Sequence, residues 1–251
     1  MTERVYEAVI RTAIGGFRLL DFQFTIEGVE HLPDVGGAVL ASNHVSYLDF
    51  TFVGYAARDK RRLVRFMAKK SVFDNPVSGP LMRAMHHIPV DRTAGTSAYA
   101  VAVQALHDGE LVGVFPESTI SRAFVPRTLK SGAARMALDA GVPLIPVAIW
   151  GGQRIWTTGR RPRLRRHVPI VVKIDAPIEL SGSETPIELT ALLRERLTKL
   201  VEEVQRAYPP PRSAEDTWWQ PAYLGGSAPT LEEARPIELA ALARKRAKRK
   251  R

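Results

Sequence analysis

Short apolar runs at 22–27, 38–42, 63–68, 88–90, 111–115, 144–150 and 168–174 alternate with segments of helical period, and this alternation constrains the fold most. Phe22–Glu27, Ala38–Ser42, Leu63–Ala68, Ile88–Val90, Leu111–Phe115, Leu144–Trp150 and Val168–Ile174 read as strands. Helices are expected from about Tyr47 to Arg58, in a Pro76-bounded stretch ending near Met85, over 96–108, and over Ser131–Ala140, the last two stopped by Gly109 and Gly141. A further amphipathic helix is expected over 185–207, with Leu189, Leu192, Leu193, Leu197, Leu200 and Val204 at helical spacing. Alternation of this kind implies a single α/β domain with a mostly parallel central sheet flanked by helices, occupying 22–208.

The ends of the chain read differently. Residues 1–21 place Val5, Val9, Ile14, Phe17 and Leu20 among Arg4, Glu7, Arg11, Arg18 and Asp21, which predicts an N-terminal amphipathic helix rather than a signal peptide. It can dock on the domain or lie in a membrane interface, and Gly15-Gly16 weakens the helix on either reading. No stretch reaches the roughly 18 to 20 uninterrupted apolar residues of a membrane-spanning helix, so the chain is not expected to cross a bilayer. From Pro209 the composition shifts to three consecutive prolines, Trp218-Trp219 and Gly225-Gly226, then a helical stretch that runs out in RKRAKRKR. Residues 209–251 are therefore expected as an appended, mobile arm with an extended basic tail.

The formal charge is +10, but seven of the eight residues 244–251 are basic, leaving 29 basic against 26 acidic residues elsewhere. Two further basic clusters lie inside the body, Arg58–Lys70 and Arg154–Arg166. An anionic membrane surface is the expected partner of these charges, with nonspecific nucleic-acid binding and a merely solvated surface as the other readings. No aromatic-and-basic signature of single-strand binding accompanies the runs, which disfavours nucleic acid. The absence of cysteine excludes thiol nucleophiles, cysteine zinc sites and redox motifs. Neither H-E-x-x-H, G-x-x-x-x-G-K nor G-x-G-x-x-G occurs, and the adjacent pair His86-His87 points apart on a strand, so no metal site is expected.

Chemistry concentrates at Val39-Leu40-Ala41-Ser42-Asn43-His44-Val45-Ser46-Tyr47-Leu48-Asp49, where a buried strand delivers a histidine to a loop before a helix whose first turn bears a carboxylate. Imidazole takes a proton near neutral pH, and an aspartate on its other ring N–H fixes the tautomer and stabilises the imidazolium. No G-x-S-x-G supplies a serine, so the nucleophile would be the substrate's own hydroxyl. The spacing alone also admits a structural histidine beside a helix-start aspartate. A second copy, His86 to Asp91, spans the extended Ile88-Pro89-Val90, where an odd offset sends the two side chains to opposite faces.

Asn43-His44-x4-Asp49 resembles the first motif of the glycerolipid acyltransferases, typified by the 1-acyl-glycerol-3-phosphate acyltransferases. Ile88-Pro89-Val90-Asp91-Arg92, Phe115-Pro116-Glu117-Ser118-Thr119 and Val142-Pro143-Leu144-Ile145-Pro146-Val147 are similar to three further blocks of that family, in family order, over about residues 23–175. The resemblance implies transfer of an acyl group from acyl-CoA or acyl carrier protein, as co-substrate and without a cofactor, to the hydroxyl of a lysophospholipid acceptor on the inner face of the cell membrane. It implies His44 as general base, Asp49 as its holder, and Asn43, Glu117, Ser118 and Thr119 in the acceptor pocket. Arg92 would bind phosphate, supported by Lys69 or Lys70 and by Lys130 ahead of a helix start. Backbone N–H groups at the start of the helix after His44 are the expected oxyanion donors.

The sequence departs from the family pattern in three places. Ser118 replaces the glycine after the glutamate; Ile120 replaces the arginine after the threonine, with Arg122 two residues on; and His86 or His87 stands where a glycine precedes the second block. These departures admit a glycolipid or amino-lipid acceptor, and a noncatalytic basic protein binding nucleic acid or lipid is the reading from another class.

Overall fold

In the computed structural model, which describes residues 3–91 and 96–249, the apolar runs form one seven-stranded sheet. Its strands are β1 Gln23–Glu27, β2 Ala38–Ser42, β3 Val64–Lys69, β4 Ile88–Val90, β5 Leu111–Val114, β6 Leu144–Trp150 and β7 Pro169–Ile174. They lie in the order β1-β7-β6-β2-β5-β3-β4, and every neighbouring pair is parallel except β6 with β7. The helices are α1 Arg4–Leu19, α2 Asp49–Ala57, α3 Lys70–Phe73, α4 Ser78–Ala84, α5 Thr96–His107, α6 Gly132–Ala140, α7 Pro186–Ala207 and α8 Leu231–Arg249. The α/β class expected from the alternation is the observed one.

Helices on both faces explain why the central strands are apolar throughout. All five residues of β2 and all seven of β6 are buried. Val39 and Ala41 face a core shared with α5, α6 and α7, whereas Ala38 and Leu40 face a second core closed by α2 and Phe17 of α1. Gly113 in β5 is required by packing: a Cβ there would lie 2.5 Å from the ring of Phe66.

Helix α1 docks on the domain, the first of its two expected alternatives. Tyr6 is buried and its hydroxyl donates to the Val64 carbonyl at 2.7 Å. The buried Arg65 guanidinium pairs with Glu3 at 2.6 Å and Glu110 at 2.9 Å. Phe17 packs among Phe22, Phe24, Phe52 and Tyr55. An apolar groove with about 40 Å³ of free space remains between α1 and α2, with His87 on its wall. Among the described residues, no helix is long and apolar enough to cross a membrane.

Helix α7 opens with a capping box in which Thr185 Oγ1 accepts from the Glu188 N–H at 3.2 Å and the Glu188 carboxylate accepts from the Thr185 N–H at 2.8 Å. Five of its six expected core residues are buried, while Leu192 is 41% exposed.

The C-terminal arm corrects the expectation that it is appended and mobile. Trp219 is 2% exposed, packs edge-on against Tyr208 at 5.5 Å, and carries the Arg154 guanidinium 4.5 Å above its ring. Trp218 receives Arg160 at 3.9 Å on its ring and lies 6.5 Å from Phe124. The physical reason is area: two indoles bury several hundred Å² in a slot between the end of α7 and the loops after β5 and β6, too much apolar surface to leave in water. The tail expected to be extended is helical through Arg249, as the end of α8.

Candidate active site

Because β2, β3, β4, β5 and β6 run parallel, the segments that leave their carboxyl ends gather on one edge of the sheet, where open α/β sheets bind ligands. Asn43-His44 follows β2, Lys69 ends β3, Asp91 follows β4 and Phe115-Pro116-Glu117 follows β5. Four blocks separated in sequence thus meet on one edge. Arg92 lies outside the described residues.

The short turn from β2 into α2 brings His44 back onto Asp49. His44 Nδ1 lies 2.9 Å from Asp49 Oδ2, and the same oxygen accepts the Val45 and Ser46 N–H groups at 2.7 and 2.8 Å. The carboxylate is fully buried, while the histidine side chain is 20% exposed. With Nδ1–H donated to Asp49, the outer nitrogen Nε2 carries the lone pair. That is the tautomer a base needs for a proton arriving from solvent or substrate. Asp49 serves both readings left open by the spacing: it caps the start of the turn and it orients the imidazole.

The His44 ring stacks on Phe115, centroids 4.2 Å apart and planes 21° from parallel. Its backbone is fixed as firmly: the His44 N–H donates to Glu117 Oε1 at 2.9 Å, and its carbonyl accepts the Ser121 N–H at 2.8 Å. The second Glu117 oxygen accepts the Arg127 N–H at 3.2 Å. Burial pushes the Glu117 carboxyl up to about 8, against the pull of those two N–H donors and the Arg127 charge. The next loop, after β6, is latched on: Ser46 Oγ donates to the Trp156 carbonyl and Thr157 Oγ1 to the Val45 carbonyl, both at 2.7 Å.

The expectation of oxyanion donors after His44 is narrowed: the backbone N–H groups from Val45 to Asp49 are engaged within the protein. Val45 and Ser46 donate to Asp49, Tyr47 to Trp156, Leu48 to Ser46 Oγ and Asp49 to the Ser46 carbonyl. The competitor is the local turn chemistry that holds Asp49 itself.

The remaining candidates separate by burial. Asn43 is 1% exposed, and its amide donates to and accepts from the Ile149 backbone at 3.0 and 2.7 Å, clipping β2 to β6. Thr119 and Lys130 are exposed, and the Lys130 N–H donates to the Pro116 carbonyl at 3.1 Å. Lys69 and Lys70 are exposed, with Lys70 3.4 Å from Asp74. Ile120 is buried and cannot reach a phosphate, whereas the Arg122 guanidinium lies against Gly159, where a Cβ would stand 2.4 Å away.

Two of the three departures from the family pattern share a cause. Ser118 and His86 both have left-handed backbone, φ 61° and 55°, the conformation that glycine adopts without a Cβ penalty. The backbone thus assigns His86, not His87, to the glycine position before β4. His87 is 5% exposed, accepts the Phe66 N–H on Nδ1 at 3.2 Å, and sits edge-on between Tyr6 and Phe66. Burial pushes its imidazole down to about 4, aided by the charges of Arg65 and His86. Phe115 belongs to a block that the sequence singles out, but its stacking on His44 was not legible there, and Arg127 as a support of Glu117 carries no sequence signal. Among the described residues, no group of three or more His, Asp or Glu could hold a metal ion.

The chain resembles known proteins in sequence and in fold. Residues 23–150 match the acyltransferase family model. The chain is 33% identical over 135 residues to a 1-acyl-sn-glycerol-3-phosphate acyltransferase of Bacillus subtilis, covering 52% of this chain and 66% of the relative. It is 30% identical over 167 residues to a chloroplastic 1-acyl-sn-glycerol-3-phosphate acyltransferase of Arabidopsis thaliana, covering 65% of this chain and 46% of that one. These matches thus span less than two thirds of either relative. The fold is similar to the crystal structure of the 1-acyl-sn-glycerophosphate (LPA) acyltransferase from Thermotoga maritima, with a TM-score of 0.70, 24% identity and 81% of each chain covered.

Proposed function

This chain belongs to the acyltransferase family, and from that premise we propose that it moves a fatty acyl group from an acyl thioester to the hydroxyl of 1-acyl-glycerol-3-phosphate or a related lysolipid. The single observation that carries the reading is the His44–Asp49 pair, a buried carboxylate holding one ring nitrogen of a part-exposed imidazole at 2.9 Å. His44 Nε2 takes the proton of the acceptor hydroxyl as that oxygen attacks the thioester carbonyl. The tetrahedral intermediate collapses by breaking the C–S bond, and the departing sulfur takes the proton from His44, leaving ester and free thiol. Asp49 stabilises the transient imidazolium. General base catalysis of this kind supplies about 10² to 10⁴ in rate, and the rest rests on holding donor and acceptor together and on stabilising the oxyanion.

The acyl donor is acyl-CoA or acyl carrier protein, used as co-substrate with no bound cofactor. The acceptor phosphate calls for cations at the same sheet edge, where Lys69 is supplied by β3 and Arg92 follows β4 in sequence. The enzyme works as a peripheral protein on the inner face of the cell membrane. The two internal basic clusters contribute unequally to that contact. In the first, Arg62 is spent on the carbonyls of Pro33, Gly36 and Gly109, and Arg65 on Glu3 and Glu110. In the second, Arg160 is held on Trp218, but Arg161, Arg163 and Arg166 are exposed around Leu164, which is 77% exposed, so the loop after β6 is the better anionic-lipid contact.

The test is thiol release from palmitoyl-CoA and from palmitoyl acyl carrier protein with lysophosphatidic acid, other lysophospholipids and lysoglycolipids, the products identified by mass. Release that depends on lysophosphatidic acid and yields phosphatidic acid supports the reading. Product formed only from a glycolipid or amino-lipid moves the acceptor to that class, and no lipid product from any acceptor defeats the proposal.

A further inference from the structure

The loop from Phe115 to Ser131 carries Glu117 and has no helix or strand of its own, so its shape is set by what holds it. The holders come from the C-terminal segment. Gln205 at the end of α7 donates to the Phe124 carbonyl at 2.6 Å, and Tyr223 in turn donates its hydroxyl to Gln205 Oε1 at 2.6 Å. Trp218 packs edge-on against the Phe124 ring at 6.5 Å. Glu238, in the second turn of α8 and 13% exposed, pairs with the Arg127 guanidinium at 2.7 Å.

From Arg127 the connection to the catalytic histidine is continuous. The Arg127 N–H donates to Glu117 Oε2, and Glu117 Oε1 accepts the N–H of His44. We propose that Glu238 is a positioning residue: through the line Glu238, Arg127, Glu117 and His44, α8 sets the placement of the general base. The arm matters to turnover, then, independently of any membrane contact its basic end makes. Glu238 lies beyond residues 23–150, the stretch that the family model matches, while Arg127, Glu117 and His44 lie within it.

Each step is short-ranged, the first an ion pair and the next two backbone-to-carboxylate hydrogen bonds. Losing the Glu238 charge frees the Arg127 side chain and, with it, the backbone whose N–H holds one oxygen of Glu117. The other oxygen then no longer fixes the His44 amide in place. A displacement of about 1 Å in a reacting group costs up to 10²-fold in rate, so a partial release is expected to cost about tenfold.

The inference rests on the proposed acyl transfer, and the experiment separates the two. Full-length wild type, Glu238→Gln, Glu238→Asp, Arg127→Gln and the double variant Glu238→Gln/Arg127→Gln are compared in acceptor-dependent thiol release, and by hydrogen exchange at the His44 amide. Glu238→Gln is expected to lower kcat about tenfold, with KM for the acyl donor within about twofold, and to speed exchange at His44. Glu238→Asp, which keeps the charge, recovers part of kcat, and the double variant loses no more than the worse single one, as expected of residues in one line. A Glu238→Gln protein with wild-type kcat and wild-type His44 exchange, whatever its Tm, overturns the proposal, as do additive losses in the double variant. If wild type transfers no acyl group, the functional reading falls, and the exchange rates alone still decide whether Glu238 fixes His44. If Glu238→Gln does not fold, the same two readouts on Glu238→Asp decide in the same way.

Discussion

Two histidines at the same sheet face opposite chemical fates. His44 leaves β2 into a turn that returns a buried carboxylate to its Nδ1, and it keeps one edge exposed. His87 precedes β4 and sits between Tyr6 and Phe66, with the Phe66 N–H on its Nδ1 and the cation Arg65 nearby, so burial and charge both hold it neutral. Each ring has one nitrogen fixed by the protein. At His44 the fixed nitrogen is a donor, which leaves an acceptor facing outward and an anion ready to stabilise the charged ring. At His87 the fixed nitrogen is an acceptor and the neighbours repel a proton. Partner chemistry, not the residue type, separates the proposed base from a packing group.

The carboxylate of Asp49 is what sets the two histidines apart. Asp49→Asn removes the charge that distinguishes His44 from His87 while keeping an oxygen for the Val45 and Ser46 N–H groups. We expect acyl-transfer kcat to fall about a hundredfold with Tm little changed, measured by thiol release and thermal melting. A loss under twofold would place Asp49 in capping alone.

Acid should act on the other histidine. In the unfolded chain His87 binds its proton near 6.5, whereas in the folded chain it does so near 4, so the unfolded state holds more protons between those values. Stability present above about pH 6.5 is lost as pH falls toward 4, by about 3 kcal/mol in all. Urea midpoints between pH 7 and 4 measure it, and His87→Asn, which keeps an acceptor for the Phe66 N–H, should remove most of that slope.

The smallest effects lie in the two left-handed turns. Ser118→Gly beside the His44 site and His86→Gly beside His87 should each raise stability by up to about 1 kcal/mol, because glycine takes positive φ without the Cβ penalty. Urea unfolding of the two variants measures it. A loss of stability at Ser118 alone would show that its side chain contributes more than its backbone costs.

The alternation of apolar runs made the sheet and most helices legible, because a strand buried on both faces has to be written almost without charge. Ala38–Ser42 and Leu144–Trp150 have the same limits in sequence and structure. The turn joining His44 to Asp49 was also readable, since a five-residue offset closes round a bend and not along an extended run such as Ile88–Val90. What could not be read depends on tertiary partners. Nothing near Trp218 and Trp219 announces that Arg160, Arg154 and Tyr208 will form their slot. The N–H groups after His44 looked free for an oxyanion because the bend that returns Asp49 to Val45 and Ser46 also consumes their N–H groups, and the Trp156 carbonyl reaches Tyr47 only once the loop after β6 has folded. Arg127 and Glu238 are 111 positions apart, and no local pattern links them.

The role of His44 is tested most directly by palmitoyl-CoA thiol release on addition of lysophosphatidic acid, for wild type, His44→Ala and His87→Asn at pH 7.5, with the lipid product identified by mass. We predict acceptor-dependent product from wild type and His87→Asn within about twofold of each other, and a fall of at least about 10² for His44→Ala with its fold intact by circular dichroism. A His44→Ala protein that keeps more than about a tenth of the wild-type rate would contradict the assignment of His44 as the base.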